Sequence, residues 1–351
     1  MKLFKSLLVA PATLGLLAPM AATANEITVN DFTPSIEETL LAGGEGLVGS
    51  DSYDGGFSET TTASFSADFI IGAVDGAADE SVTAGYSYQI DLSTSFTGED
   101  SFDVSIDAGN EGFAQIDSND GGDTLAVDGV SYTFPLGDKT TVFVGDNTDG
   151  SALYSTACVY GGVTDNLDDC GNGSSAMNSG AGTAAGASFD IGSGFTAALG
   201  YTGNGATGLM TDDAGSTDVF GGQLAYSADS YGASVTYANS DGDVSFWGLN
   251  GYWTPAETGT AVPSLSVGYE FGNPTAGDDT KQWFVGLQWD EMGAGTLGAA
   301  IGSVGTSEDN KMYEAFYSYP INDSVTITPI VYIEEAATDD TGVILKTSFS
   351  F

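Results

Sequence analysis

The last eleven residues, Thr341 to Phe351, constrain the fold more than any other stretch. At a period of two, Val343, Leu345, Thr347, Phe349 and Phe351 share one face, while Ile344, Lys346, Ser348 and Ser350 share the other. A strand buried on one side of a soluble sheet would alternate in the same way. This one stops on an aromatic residue and is long enough to cross a bilayer when tilted, for which about 9–11 residues suffice. A strand in lipid needs partners on both edges, because only a closed barrel leaves no backbone polar group unpaired there.

The chain supplies such partners. From Thr61 onward, Phe65, Ala67, Phe69 and Ile71 alternate with Ser66, Asp68 and Ile70. Tyr86, Tyr88, Ile90 and Leu92 alternate with Ser87, Gln89, Asp91 and Ser93, and Phe102, Val104 and Ile106 with Asp103, Ser105 and Asp107. Leu125 to Phe134 continues the pattern with a phase shift at Asp128-Gly129, as a bulge produces. Further strands are expected at Thr140–Gly145, Gly182–Ile191, Phe195–Tyr201, Val219–Ala228, Ser230–Ala238, Val244–Thr254 and Ser264–Phe271. Lys281–Trp289, Thr296–Val304, Lys311–Tyr319, Ser324–Glu334 and the terminal strand complete about 16, an even number as bacterial single-chain barrels require. The expected fold class is all-β, a transmembrane antiparallel β-barrel over residues 58–351.

The connections alternate in length, as such barrels demand. Gly98-Glu99, Gly137-Asp138, Gly192-Ser193, Ala228-Asp229 and Pro320 to Asp323 are tight turns on one end. Gly109 to Asp123 and Thr202 to Asp218, on the other, are longer and rich in Asp, Asn and Gly. Pro255 to Val262 is a long connection where a short one is due. The longest, about 146–181, lies between the fifth and sixth strands.

Residues 1–24 read as a secretory leader, with Lys2 and Lys5, an apolar run from Leu7 to Leu17, and Ala22-Thr23-Ala24 as the cleavage site. Beyond it no apolar stretch approaches the ~20 residues of a spanning helix. Residues 25–57 open with a helix start at Thr33-Pro34, its acids Glu37 and Glu38 near the positive end, and stop at Gly43-Gly44. This segment is either periplasmic or a plug in the lumen.

Formal net charge is −43, two units more negative without the leader, and the chain contains no Arg and no His. Nucleic acid is excluded as a partner, since its phosphates need Lys and Arg. Ser-His and Cys-His nucleophilic mechanisms are unavailable and no zinc spacing exists, so neither an enzyme nor a cofactor is expected.

The acids carried on strands are more informative. In the phase set by the apolar faces, Asp68, Asp91, Asp103, Asp107, Asp128, Asp190, Glu270, Glu314 and Glu334 point inward. A soluble sandwich would turn its acids toward bulk water and bury the opposite face. Here the polar face is expected to line water and the apolar face to meet lipid. Trp247 with Trp253, and Trp283 with Trp289, sit near opposite ends of single strands on the apolar face, as in two interfacial girdles. Lys346 is the clear inward base, with Lys281 and Lys311 near loop ends. A lumen of carboxylates favours cations and passes small hydrophilic solutes.

Cys158 and Cys170 fall within the long loop, in CVYGGVTDNLDDC, and in an exported chain such a pair is expected to form a disulfide. The neighbouring Asp165, Asp168 and Asp169 offer oxygen ligands for Ca²⁺. Their spacing does not match an EF-hand, and solvated loop charge is the better reading. A different class of function, an acidic Ca²⁺-binding structural or adhesive surface protein, would extract without detergent.

Several stretches together resemble the cyanobacterial outer-membrane porins of the carbohydrate-selective porin family: MKLFKSLLVAPATLGLLAP, GFSETTTASFSADFIIGA, YTFPLGDKTTVFVG, DNLDDCG and TGVILKTSFSF. The ending in Phe351 is similar to the closing strand of bacterial outer-membrane barrels. The resemblance implies a 16-stranded pore in the outer membrane, often a homotrimer, with the longest loop folded into the lumen as a constriction. Two departures matter. Longer relatives carry a surface-layer-homology domain where only the short segment 25–57 is found here, so wall anchoring is not expected, and sugar-selective ones use channel Arg, which is absent here. The resemblance therefore implies a general diffusion pore rather than a sugar-specific one.

Overall fold

The computed structural model describes residues 61–351 except 77–80, 111, 114, 117–122, 169, 174, 176–181, 205–208, 211–216, 241–243, 258, 260, 275–277, 305–306 and 336–338. The leader and the expected helix within 25–57 lie outside the described residues, as does Asp169.

Sixteen strands form one closed barrel: β1 (Thr61–Asp75), β2 (Thr83–Thr94), β3 (Ser101–Gly109), β4 (Ala126–Pro135), β5 (Thr140–Thr148), β6 (Gly182–Gly192), β7 (Phe195–Asn204), β8 (Thr217–Ser227), β9 (Tyr231–Ser240), β10 (Val244–Trp253), β11 (Ser264–Pro274), β12 (Thr280–Met292), β13 (Gly295–Val304), β14 (Ser307–Asn322), β15 (Val325–Glu335) and β16 (Asp339–Ser350). Each pairs antiparallel with its sequence neighbours, and β16 returns to β1. The all-β antiparallel barrel expected from the alternation is the fold observed. No described helix is long and apolar enough to cross a membrane.

The terminal strand closes the cylinder from Asp75↔Thr341 to Ser66↔Ser350. Phe65 N donates to Phe351 O at 2.8 Å, Phe351 N donates to Phe65 O at 3.0 Å, and the two rings stack 5.9 Å apart. The phase shift in β4 is a bulge. Ser105 pairs with Gly129 and Ile106 with Val127, which leaves Asp128 as the extra residue. The connection from β10 to β11, residues 254–263, is the long one on the short-turn end.

Alternation translates into two faces. Along β11, Leu265, Val267, Tyr269 and Phe271 are exposed on the outside, while Ser264, Ser266 and Glu270 are buried on the inside. Aromatic pairs cluster on the outer wall at both ends. Tyr201–Phe220 and Tyr237–Trp247, each with centroids 4.9 Å apart, lie toward the long loops. Phe195–Tyr226 at 4.8 Å and Tyr132–Phe134 at 5.3 Å lie toward the short turns. Trp247 and Trp253 are both exposed on β10, and Trp283 and Trp289 sit half-buried on β12. Six residues separate each pair, about 20 Å along the strand.

The inner wall departs from the expectation of a uniformly wet lumen. Ile70, Phe284, Met312, Phe316, Ile330, Tyr332 and Ile344 all face inward and are buried. Loop residues Phe113, Ile116, Tyr160, Val163, Leu167 and Cys170 complete one apolar cluster with them. The reason is local: two loops fold into the barrel and need an apolar surface to pack on. Covering such surface stabilises by about 25 cal/mol per Å² removed from water.

Candidate functional site

The long β5–β6 connection runs round the inside of the barrel, and the sequence supplies a foothold at each strand it passes. Gly150 N donates to Thr202 Oγ1 of β7 at 2.7 Å. Tyr154 packs on Ala198, Val219 and Ala238 of β7, β8 and β9. The Gln223 side chain of β8 meets the Ser155 backbone twice, accepting from N at 2.6 Å and donating to O at 2.8 Å. Ser266 Oγ of β11 accepts from Val159 N and Tyr160 N at 3.0 and 3.2 Å, and Gln288 Oε1 of β12 accepts from Gly161 N at 2.9 Å. The path then reaches Glu314 on β14. It returns through Cys170, whose carbonyl accepts from Asn250 Nδ2 of β10 at 3.3 Å, to Ser175, whose N donates to Glu270 Oε2 at 2.5 Å.

The disulfide ties the outgoing leg to the returning one. Cys158 and Cys170 are bonded, with Cα atoms 6.5 Å apart. Close approach on the return leg depends on two glycines. A side chain at Gly268 would run into the Cys170 carbonyl, and one at Gly248 into Ser175 Oγ. The shorter β3–β4 loop joins from the other side. Asp165 N donates to Gln115 O at 3.0 Å, Asn166 Nδ2 to Gln115 Oε1 at 2.8 Å, and Gln115 Nε2 to Glu334 Oε2 of β15 at 2.5 Å.

The nine inward acids consequently divide by what opposes them across the lumen. Glu270 and Glu314 are buried beneath the long loop and do not line open water, while Glu334 holds Gln115 and keeps partial exposure. The alternation carried no signal that a loop would cover Glu270 and Glu314. Asp190 caps the β6–β7 turn by accepting from Gly192 N at 2.8 Å, and it is exposed at the barrel end. Asp128, on its bulge, is buried beside Asp107 and Asp91, and its Oδ2 has no hydrogen-bond donor.

Asp68, Asp91, Asp103 and Asp107 keep partial exposure on β1–β3, although Ile70 of β1 is buried in the apolar cluster with the loops. Asp91 Oδ1 accepts from Gln89 Nε2 at 2.7 Å and from Ser105 Oγ at 2.6 Å, and Asp103 accepts from Ser101 Oγ at 2.7 and 2.8 Å. Lys346 Nζ lies 3.8 Å from Asp68 Oδ2 across the β1–β16 seam, half-buried in a polar setting. One lysine thus offsets one carboxylate, and the wall stays net negative.

Outside the strands, burial and then the Glu314 charge push the Tyr160 phenol above its ordinary range, and burial and then Asp149 do the same to Tyr154. Both loop phenols therefore stay neutral, and Tyr160 donates a hydrogen bond to Glu314. In the β2–β3 turn, hydrogen bonds from Ser95 and Tyr132 hold the Asp100 carboxyl far below the usual carboxylate range, and Thr97 adds to them. Asp165 and Asp168 sit in the loop, and among the described residues no group of three His, Cys, Asp or Glu is arranged to hold a metal.

The sequence matches no protein-family model and no curated protein. Its fold is similar to that of solved Rhodopseudomonas blastica porin variants. A triple mutant matches with a TM-score of 0.56 at 15% identity, covering 83% of this chain and 100% of that one. A variant with five substitutions matches with a TM-score of 0.55 at the same identity and coverage.

Proposed function

We propose that the protein is an outer-membrane porin, a passive channel for small hydrophilic solutes and ions that prefers cations. One observation carries this reading: a closed barrel with an apolar exposed outer wall is narrowed inside by a disulfide-tied loop, while four inward carboxylates of β1–β3 keep partial exposure. Lipid satisfies the outer wall, with the aromatic pairs at its two interfaces. Water and solute pass beside the partly exposed carboxylates of β1–β3. There Asp68, Asp91, Asp103 and Asp107 set a negative potential that attracts cations and repels anions.

The porin likeness of the solved structures supports the channel reading through fold alone, at 15% identity. The proposal includes export by the leader within residues 1–24, a periplasmic place for residues 25–57 and no sugar specificity. Purified protein in a planar bilayer under a salt gradient is the test. The expected result is stepwise conductance with a reversal potential of cation sign. A folded monomer that dissolves in buffer without detergent and forms no channels would overturn the reading and favour an adhesive surface protein.

A further inference from the structure

Glu314 occupies a place where a carboxylate has no obvious business. Its inward neighbours along β14 are Met312 and Phe316, both buried in the apolar cluster, and Glu314 itself is 3% exposed. A buried charge without partners is strongly unfavourable. All of its partners come from one short segment of the long loop. Tyr160 Oη donates to Oε1 at 2.5 Å and Val163 N at 3.4 Å, while Thr164 N donates to Oε2 at 3.0 Å together with Thr164 Oγ1. The loop segment has replaced the water shell of the acid.

We infer that Glu314 is the latch that sets the width of the passage, a positioning residue that holds the disulfide-tied loop against β14 and away from the acidic wall. This rests on the porin reading above. The dependence is mutual. With the loop docked, the carboxylate is fully hydrogen-bonded. With the loop lifted, it meets water in the lumen, while Tyr160, Val163 and Thr164 swing toward β1–β3 and obstruct the path. Two backbone N–H groups on opposite oxygens make the site specific for a carboxylate. A glutamine amide presents one oxygen and one NH₂, so either Val163 N or Thr164 N faces a donor whichever way the amide is turned. The rest of the loop relies on neutral polar footholds and on Glu270, which receives Ser175 N beyond the disulfide. Glu314 thus grips the ring closed by Cys158 and Cys170 from the barrel wall.

The experiment compares single channels of the full chain, disulfide intact, for the unaltered protein, Glu314→Gln, Thr164→Val and, as a control on the opposite wall, Asp103→Asn. The latch predicts flicker between two conductance levels in Glu314→Gln, with dwell time in the original level shortened roughly thirtyfold, the factor carried by one orphaned buried donor. Thr164→Val, which removes one donor and leaves the acid, should shift the dwell times in the same direction by less. Reversal potential should stay unchanged in both, because Glu314 does not face the solute, whereas Asp103→Asn should move reversal potential and leave dwell times alone. Steady channels in both loop variants, or a change in selectivity without flicker, would overturn the inference. If Glu314→Gln fails to assemble, Thr164→Val decides alone by the same criterion. An unaltered protein that forms no channel would sink the porin reading itself.

Discussion

Leu167→Ala tests whether the apolar half of the loop docking is as important as its polar latch. Leu167 is completely buried, at 0% exposure, in the cluster with Phe284 and Met312, and its Cδ2 lies where a side chain on Gly302 would begin, 2.7 Å from the ideal Cβ. Truncation removes three carbons. At about 0.8 kcal/mol each, the lost transfer energy is ~2.4 kcal/mol, and a cavity that the rigid barrel wall cannot close adds more, giving about 3 kcal/mol. Because the lifted loop is the reference, that cost appears in the docking equilibrium, where ~3 kcal/mol corresponds to about 150-fold. The barrel ladder does not involve Leu167, so the heat-modifiable shift on detergent gels should keep its midpoint. The loop should become cleavable in timed limited proteolysis, and channel recordings should become noisy. Leu136→Ala, at an exposed position in the β4–β5 turn, is the matched control and should change neither. Protease resistance and channel noise identical to the unaltered protein in Leu167→Ala would refute the reasoning.

Three further outcomes follow from the geometry. Removing a partly exposed carboxylate with Asp91→Asn or Asp103→Asn should lower cation preference about twofold each at low salt, read as reversal potential, since a unit charge at ~8 Å in water contributes about 0.5 kcal/mol. The effect should fade at high salt. Burial holds the Tyr160 phenol above its ordinary value of 10.0, so the docked loop keeps this proton better than the lifted loop does. Docking is therefore complete below that pH and weakens as pH rises through and beyond it, which proteolysis against pH should show. Tyr160→Phe should remove this alkaline phase. Deleting Phe351 removes two backbone hydrogen bonds to Phe65 and one ring stack at the seam, a loss of about 2–3 kcal/mol. Slower assembly and a lower heat-modifiable midpoint are expected, and an unchanged midpoint would mean that the seam is held elsewhere.

The barrel was legible in the sequence because its cause is local. Each strand meets two different surroundings, and a residue's side is fixed by its parity along the chain. Phe65 and Phe69 against Ser66 and Asp68, and Val343 and Leu345 against Lys346 and Ser348, already separate the two faces. The bulge at Asp128 announced itself as a break in that parity, and the two cysteines announced their own pairing. A hint of the filled lumen was also present. Ile330-Val331-Tyr332-Ile333 is apolar on both faces, which a strand between lipid and water would not need.

What only the tertiary structure decided is which inward acids remain in water. Asp91 and Glu314 are indistinguishable in the alternation, yet Asp91 keeps partial exposure on β2, and Glu314 is buried and bonded to Thr164, 150 residues away in the chain. Parity reports the face from which a side chain projects. It carries nothing about what stands opposite that face, because the opposing group arrives from a distant loop whose path is set by the whole curvature of the barrel.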